Sequence, residues 1–216
     1  MIKYADPVTC GLIDEARDFL ITGSWDRTVT ALDLKKNEID KQWIGTRDSV
    51  KCLHLFDKWL FVAGLDQVIR AFCLESGKTK VFEGHTSWIL TMKTYVKYKE
   101  DGSVQSQWLL SGSDDNTVRI WDIATTNCLE ELQGHKNGIQ AITFANNDLF
   151  TGSFDNYIIC WSLPDIEEKI RETQAMMAED LRSKKFEAFE AYMESKGKRK
   201  KGKAKGKAKG KGKGKK

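Results

Sequence analysis

A short motif that recurs four times constrains the fold of this 216-residue chain more than any other feature. The copies are Gly23-Ser24-Trp25-Asp26-Arg27-Thr28-Val29, Ala63-Gly64-Leu65-Asp66-Gln67-Val68-Ile69, Gly112-Ser113-Asp114-Asp115-Asn116-Thr117-Val118 and Gly152-Ser153-Phe154-Asp155-Asn156-Tyr157-Ile158. Their aspartates, Asp26, Asp66, Asp115 and Asp155, lie 40, 49 and 40 positions apart. A period near 40 residues is typical of a repeat architecture.

Each copy predicts two strands joined by a tight turn. Apolar runs such as Trp108-Leu109-Leu110 lead into the turn, and runs such as Val118-Arg119-Ile120-Trp121 lead out of it. A turn aspartate can accept hydrogen bonds from backbone N–H groups, so we expect the four aspartates to be structural. Further strand candidates flank each hairpin, and four strands in about 40 residues indicate one blade of a propeller.

Several dipeptides make these repeats resemble the WD40 family. Gly84-His85 and Gly134-His135 match the Gly-His pair of that family, and Trp121-Asp122 matches its Trp-Asp pair. The resemblance implies an all-β fold of four blades over residues 1–163, with repeats at about 6–45, 46–85, 86–135 and 136–163. The segments from Thr46 to Leu53 and from Gly84 to Trp88 further resemble the C-terminal propeller of a zinc-finger protein.

The resemblance also implies a buried hydrogen-bond network in the last two blades. The residues concerned are His85, Ser111, Asp115 and Trp121 in the third blade and His135, Thr151, Asp155 and Trp161 in the fourth. The first two blades lack the tryptophan, and Gly45 is followed by Thr46 instead of histidine. We therefore expect incomplete networks and lower rigidity in the first two blades.

Four repeats are fewer than the seven that the resemblance implies, so we expect an incomplete ring. Either upstream blades of a longer protein complete it, or the chain closes by itself as four blades or by self-association. An open arc leaves strand edges and apolar faces unpaired. The resemblance implies that an N-terminal strand completes the last blade, and that strand is either near Ile2-Lys3-Tyr4 or missing with the upstream blades.

The third repeat is longer than the others, with extra polar residues around Tyr95 to Gln107. These residues predict a protruding hairpin or loop on one rim of the blade. It is either a tolerated surface insertion or a partner contact through Tyr95 and Tyr98.

The composition changes after the last repeat. Residues 164–195 are rich in Glu, Lys, Arg, Ala and Met, and with Pro164 at the start they predict a charged amphipathic helix. That helix either packs against the side of the propeller, docks a partner or forms a coiled coil.

The last 21 residues form a lysine- and glycine-rich tail. Lys196–Lys216 holds 13 of the 35 basic residues and none of the 31 acidic ones, so residues 1–195 carry 22 basic against 31 acidic side chains. Such a segment is predicted to be disordered. Its polyanion-binding candidates are Lys198, Arg199, Lys200, Lys201, Lys203, Lys205, Lys207 and Lys209, with RNA as the expected ligand, unless the tail is merely solvated. Lys198 to Lys201 also predict nuclear import, and we expect a nuclear or nucleolar location that extends to the cytoplasm.

Several classes of protein find no support in the sequence. The five cysteines are scattered and odd in number, which favours a reduced, intracellular protein. Cys52 and His54 share a strand face, but no second cluster completes a metal site. No stretch is apolar enough to span a membrane, and no secretory leader opens the chain. No nucleophile with a base and no phosphate-binding loop is present, so we expect neither catalysis nor a cofactor.

Two functions remain after these exclusions. The first is a non-catalytic scaffold that binds other proteins through the propeller rim in an RNA- or ribonucleoprotein-associated nuclear complex, with non-specific RNA binding by the tail. The alternative is a substrate-recognition or adaptor subunit of a ubiquitin ligase or a signalling complex.

Overall fold

The computed structural model describes residues 3–179, 182–185 and 187. Within residues 1–168, which form one unit, fifteen strands are described, and they form four antiparallel sheets. Sheet 1 contains β1 (Val8–Asp14), β2 (Phe19–Ser24), β3 (Thr28–Asp33) and β4 (Glu38–Ile44). Sheet 2 contains β5 (Val50–Phe56), β6 (Trp59–Gly64), β7 (Ile69–Cys73) and β8 (Thr79–Phe82). Sheet 3 contains β9 (Ile89–Tyr98), β10 (Val104–Ser113), β11 (Thr117–Asp122) and β12 (Cys128–Gln133). Sheet 4 contains β13 (Ile139–Ala145), β14 (Asp148–Ser153) and β15 (Ile158–Ser162).

Every sheet pairs its strands in chain order, so neighbours in the sequence are neighbours in space. The repeated motif forms the turn between the second and third strands of each sheet. The residue after each turn aspartate has a positive φ, between 66° and 71°, at Arg27, Gln67, Asn116 and Asn156. Asparagine tolerates this left-handed conformation well, and the turn imposes it on Arg27 and Gln67 too. The predicted all-β fold of four blades is confirmed.

The hydrophobic core lies between consecutive sheets. Side chains of sheet 1, such as Ile21 and Val29, pack against side chains of sheet 2, such as Leu60 and Val62. A second cluster joins sheet 2 to sheet 3 and contains Phe61, Ala63, Ile69, Ala71, Phe82, Ile89, Met92, Leu109, Trp121 and Ile123. Because each strand alternates its side chains between two faces, every inner sheet contributes to two such interfaces.

Sheet 4 has three strands, where the other sheets have four. Its last strand ends in the same way as the third strands of sheets 1 and 2. Leu163 N donates to Asn147 O at 3.1 Å, as Leu34 N donates to Asp18 O and Leu74 N to Lys58 O, both at 2.9 Å. The chain then enters a helix, α1 (163–179), in place of a turn and a fourth strand. Pro164 suits the first helical turn because it lacks an N–H that would have no partner there.

The longer third repeat forms a two-stranded extension of β9 and β10. Tyr95 packs its ring against Trp108 and Phe144, with centroids 5.4 and 5.3 Å apart. Its hydroxyl donates to Glu167 Oε1 at 3.2 Å, and Lys97 forms an ion pair with the same carboxylate. Burial, together with the charge of Glu167, raises the pKa of Tyr95 to about 12. Tyr95 is thus engaged within the fold, and Tyr98 is the exposed tyrosine of the extension.

Residues from Lys169 onwards form a second unit, and its described residues, 169–179, 182–185 and 187, are helical. The predicted tail lies outside the described residues. No helix within the described ranges combines the length and the apolar character needed to cross a membrane.

Candidate functional site

A chain of hydrogen bonds links four buried side chains in sheet 3. The Nδ1–H of His85 donates to Asp115 Oδ2 at 2.7 Å, and His85 Nε2 lies 2.7 Å from Ser111 Oγ. Trp121 Nε1–H donates to the same Ser111 oxygen at 2.8 Å. A single tautomer gives both ring nitrogens of His85 a hydrogen-bond partner, because Nδ1–H donates to Asp115 and the hydroxyl of Ser111 donates to Nε2. The structure thus brings the four residues named from the sequence together.

The same arrangement occurs in sheet 4. His135 Nδ1 lies 2.9 Å from Asp155 Oδ2, and His135 Nε2 lies 2.9 Å from Thr151 Oγ1. Trp161 Nε1–H donates to Thr151 Oγ1 at 2.9 Å. A threonine replaces the serine without loss, because the network uses only the hydroxyl group.

The two aspartates of these networks are held as anions. Burial alone would raise the pKa of Asp115, but hydrogen bonds from His85, Thr117 and the backbone N–H of Thr86 hold it well below its ordinary value. Burial would likewise raise the pKa of Asp155, yet donors that include the backbone N–H groups of Lys136 and Tyr157 lower it to about 2. Each carboxylate therefore ties the loop that enters its sheet to the repeated turn.

Glycine precedes each network histidine because the tryptophan of the next sheet lies close. A Cβ at Gly84 would stand 3.1 Å from the indole of Trp121, and a Cβ at Gly134 would stand 3.1 Å from the indole of Trp161. The Gly-His pair and the tryptophan are therefore parts of one packing arrangement.

Sheet 1 uses a tyrosine where the later sheets use histidine, and the sequence interpretation missed it. Tyr4 Oη lies 2.7 Å from Thr22 Oγ1, and Thr22 has the strand position of Ser111. Burial would raise the pKa of Asp26, but hydrogen bonds from Thr28, Ser24 and the backbone of Ala5 lower it. Ala5 follows Tyr4 as Thr86 follows His85. Tyr4 therefore belongs to sheet 1, whereas the sequence named it as a candidate strand for closing the last blade.

Sheet 2 uses an arginine. Arg70 Nη1 donates to Asp66 Oδ2 at 2.5 Å, and the backbone N–H of Arg47 donates to the same oxygen at 2.8 Å. The other oxygen of this carboxylate, Oδ1, is buried without a hydrogen-bond partner. In sheets 1 and 3 the equivalent oxygen accepts from a threonine two residues on, Thr28 or Thr117, and sheet 2 has Val68 there. A sequence signal for Arg70 exists, since it stands four residues after the turn aspartate.

The pair of Cys52 and His54 forms no metal site. Nε2 of His54 lies 3.0 Å from Thr94 Oγ1, and its ring packs against Phe61 at 6.4 Å. Burial and the nearby charge of Lys93 lower the pKa of His54 to about 4. Within the described residues, no group of three or more His, Cys, Asp or Glu side chains could hold a metal ion.

Exposed aromatic side chains gather at the same end of the sheets as the networks. Here each repeated turn bonds to the loop that enters its own sheet: Trp25 N to Pro7 O, Leu65 N to Ser49 O, Asp114 N to Trp88 O and Phe154 N to Gly138 O, at 2.8 to 3.1 Å. We call these eight residues the loop end. Trp25, Trp88 and Phe154 of the loop end are exposed. Exposed aromatic residues on one surface are typical of protein-binding sites.

Comparison with known proteins agrees with this architecture. The family model for the WD domain, G-beta repeat, matches residues 76–122 and 126–162, which hold both histidine networks' aspartates and tryptophans. The chain is 31% identical over 137 residues to the CCR4-associated factor 4 homolog of Vanderwaltozyma polyspora, covering 54% of this chain and 19% of that protein. The chain spans 8–28% of the length of seven curated relatives that it matches.

Solved structures show the same fold. The WD40 β-propeller domain of Doa1 superposes with a TM-score of 0.61 at 21% identity, covering 74% of this chain and 52% of that one. The computationally designed Ika8 protein superposes with a TM-score of 0.60 at 21% identity, covering 74% of this chain and 47% of that one. The fold and its networks define a β-propeller repeat protein. Residues 76–122 and 126–162 match the repeat of the WD40 family, whose propellers are typically non-catalytic and bind other proteins.

Proposed function

We propose that this chain is a non-catalytic scaffold of an RNA- or ribonucleoprotein-associated nuclear complex. The loop end binds a partner protein, and the basic residues of 196–216 bind RNA without sequence preference. The observation that carries the first part is the exposure of Trp25, Trp88 and Phe154 at one end of the sheets.

The rigidity of the loop end supports a binding role. Each exposed aromatic residue lies beside a backbone hydrogen bond that fixes its turn or loop, as between Asp114 N and Trp88 O at 2.8 Å. Ser49 Oγ also donates to Trp25 O, which links sheet 2 to sheet 1. A preorganised surface loses little conformational entropy on binding, and buried tryptophans contribute much of the affinity at protein interfaces.

The charge distribution supports the second part. The tail carries 13 basic residues and no acidic one, while residues 1–195 carry an excess of acidic side chains. Each lysine that neutralises a phosphate releases counterions, so the binding is steeply dependent on salt. No aromatic residue interrupts the lysines, so stacking on bases does not contribute.

One relative supports a place in an assembly. The name of the CCR4-associated factor 4 homolog describes a protein that associates with another factor. For this chain we propose only that it, too, associates with a complex.

The partner-binding part is tested by affinity capture with the Trp25→Ala/Trp88→Ala double variant. We expect the proteins that bind the wild-type chain to be lost, because both substitutions truncate exposed anchors. Val104→Ala is the matched control, since Val104 is an exposed apolar residue on the β9–β10 extension. Retention of every partner by the double variant would contradict the proposal. Captured proteins that are components of ubiquitin ligases or signalling complexes, without RNA, would favour the adaptor function instead.

The RNA-binding part is tested by fluorescence anisotropy with a labelled oligouridine across a salt series. We expect the full chain to bind and residues 1–195 not to bind. A full-length variant with Lys198, Lys200, Lys201, Lys203 and Lys205 changed to Gln keeps the length and should bind more weakly, with a smaller salt dependence. Equal binding by all three proteins would refute RNA binding by the tail. A fluorescent fusion of the same variant tests nuclear import.

A further inference from the structure

The two outermost sheets of the repeat unit each leave one apolar face uncovered. We call the side of a sheet that meets the next sheet in the chain its front face, and the opposite side its back face. Sheets 1, 2 and 3 have covered front faces, and sheets 2, 3 and 4 have covered back faces. Within residues 3–168, no other sheet packs on the front face of sheet 4 or on the back face of sheet 1.

The interfaces inside the chain show which residues such faces use. The front face of sheet 1 presents Ile21 and Val29, and the back face of sheet 2 presents Val50, Leu60 and Val62. Val29 and Val50 are both fully buried there. The rule is therefore that an aliphatic residue at the start of the third strand packs on aliphatic residues of the first two strands of the next sheet.

The front face of sheet 4 follows this rule but remains exposed. Ile158 of β15 has the strand position of Val29, Ile69 and Val118. Those three side chains are 0–1% exposed, whereas Ile158 is 76% exposed. Cys160, two residues on, is exposed as well, while its counterparts Ala31, Ala71 and Ile120 are buried.

The back face of sheet 1 is the matching half. Val8 of β1 has the position of Val50, which is fully buried, yet Val8 is exposed. Ile13 has the position of Leu55, which packs in the interface between sheets 1 and 2, yet Ile13 is 62% exposed. Leu34, which follows β3, is also exposed.

We propose that the front face of sheet 4 packs on the back face of sheet 1 of a second copy of this chain. Two copies related in this head-to-tail manner cover both free faces of both chains. Such an interface is heterologous, and it closes into a ring when the rotation between copies allows. The interface repeats the contact that the chain already makes three times between its own sheets.

Two observations favour a second copy over another occupant. First, both halves of the interface are present on one chain, so a second copy provides a surface of the required shape and chemistry. Second, the matched part of this chain corresponds to 52% of the propeller domain of Doa1 and 47% of Ika8. Two copies therefore provide about as many sheets as those two chains contain, whereas one copy matches 94% of the chain of the designed Ika4 protein.

A symmetric contact between two front faces fits less well. It would set Ile158 and Cys160 of both chains against each other, with none of the second-strand residues that cover Val29 inside the chain. The back face of sheet 1 would also stay exposed.

The test is the mass of the full chain by sedimentation over a concentration series. The wild type is expected to form a dimer. Ile158→Lys blocks the front face and Ile13→Lys blocks the back face, and each variant alone is expected to be monomeric. Val104→Lys, another exposed apolar strand residue, is the control and should dimerise. All three positions are exposed, so folding is preserved, and circular dichroism checks this for each variant.

Mixing the two blocked variants is the decisive step. Ile13→Lys retains an intact front face and Ile158→Lys retains an intact back face, so an equimolar mixture should recover a dimer that neither forms alone. A wild type that remains monomeric overturns the proposal, as does a mixture that remains monomeric. A dimer that Ile13→Lys retains and Ile158→Lys loses indicates the symmetric contact, and masses above a dimer contradict closure by two copies.

Discussion

The turn aspartates of sheets 3 and 4 each bond to a histidine, whereas those of sheets 1 and 2 have other donors, Thr28 for Asp26 and Arg70 for Asp66. In sheet 3, a histidine bridges Asp115 and Ser111, and Trp121 completes the chain of hydrogen bonds. In sheet 1, Tyr4 reaches the strand hydroxyl of Thr22, and in sheet 2, Arg70 reaches Asp66. The difference teaches that the turn needs donors for a buried carboxylate, and that imidazole is one of several groups that provide them.

The family model reflects this difference. Its matches begin at residue 76 and include the sheets that have histidine and tryptophan. Sheets 1 and 2 have the same strand order and the same turn conformation without those residues. Strand pairing and the buried apolar faces therefore carry the fold, and the histidine networks add rigidity to two of its four sheets.

The largest expected effect comes from removing the indole of sheet 3. Trp121 is buried, it packs edge-on against Phe82 at 6.0 Å, and it donates to Ser111. Trp121→Ala should lower the free energy of unfolding by about 3–5 kcal/mol, measured by urea denaturation. Leu32→Ala is the matched change in sheet 1, where a half-buried leucine has the same strand position, and we expect it to cost less. Equal losses would contradict the larger contribution expected from the bigger, fully buried and hydrogen-bonded tryptophan.

The second prediction compares the two groups that reach the aspartate. His85→Ala and Arg70→Ala each remove a donor from a nearly buried carboxylate, and each should cost about 2–3 kcal/mol. Arg119→Ala is the control for Arg70, because Arg119 has the same position in sheet 3 but pairs with the partly exposed Glu131. That change should cost about 1 kcal/mol or less. If Arg70→Ala lowers the free energy of unfolding no more than Arg119→Ala does, then Arg70 does not stabilise Asp66 as His85 stabilises Asp115.

How far the sequence predicts this site depends on how regular its spacing is. The hairpins were predictable because the turn aspartate has the same place in each copy of the motif, between two runs of mostly apolar residues. Tyr4 was not predicted because no Gly-His pair marks its place, although its spacing of 18 residues from the hydroxyl partner lies between the 16 of His135 and the 26 of His85. Arg70 was missed because it reaches the carboxylate from the strand that follows the turn, whereas the network histidines lie in the loops that enter their sheets. The incomplete ring predicted that an apolar face would lack a neighbour, but the sequence alone did not show that Ile158 would be among its exposed residues.

The third prediction uses pH to separate the stability contribution of Asp155 in sheet 4 from that of His54 in sheet 2. The folded state lowers the pKa of Asp155, in sheet 4, to about 2, so its contribution to stability is complete above the ordinary aspartate value and is lost as the pH falls towards 2. Burial lowers the pKa of His54, in sheet 2, to about 4, so the fold favours the neutral ring. Its contribution is complete above about 6.5, the ordinary histidine value, and is lost as the pH falls towards 4.

Urea denaturation between pH 8 and pH 2 should therefore show two steps of falling stability. His54→Gln should flatten the step between about 6.5 and 4, and Asp155→Asn should reduce the step below about 4, to which Asp115 also contributes. Each variant is the control for the other, because the two groups lie in different sheets and titrate in different windows. A profile that neither substitution changes would contradict both assignments.

The smallest expected effect is a gain in sheet 2. Asp66 Oδ1 is buried without a partner, and Val68 stands where sheets 1 and 3 have Thr28 and Thr117. Val68→Thr is nearly isosteric and places a hydroxyl donor at the position from which Thr117 reaches Asp115 Oδ1 at 2.7 Å. We expect the free energy of unfolding to rise by about 1 kcal/mol, the usual net value of one added hydrogen bond.

Thr117→Val in sheet 3 is the reciprocal change, and it should lower the free energy of unfolding by about 1 kcal/mol because it removes the same bond. Amide hydrogen exchange locates both effects, with protection rising in β6 and β7 for the first variant and falling in β10 and β11 for the second. If Val68→Thr is neutral while Thr117→Val is destabilising, the turn of sheet 2 holds its aspartate in a geometry that a threonine cannot reach. The four turns would then share a backbone conformation, but sheet 2 could not form the threonine hydrogen bond of sheets 1 and 3.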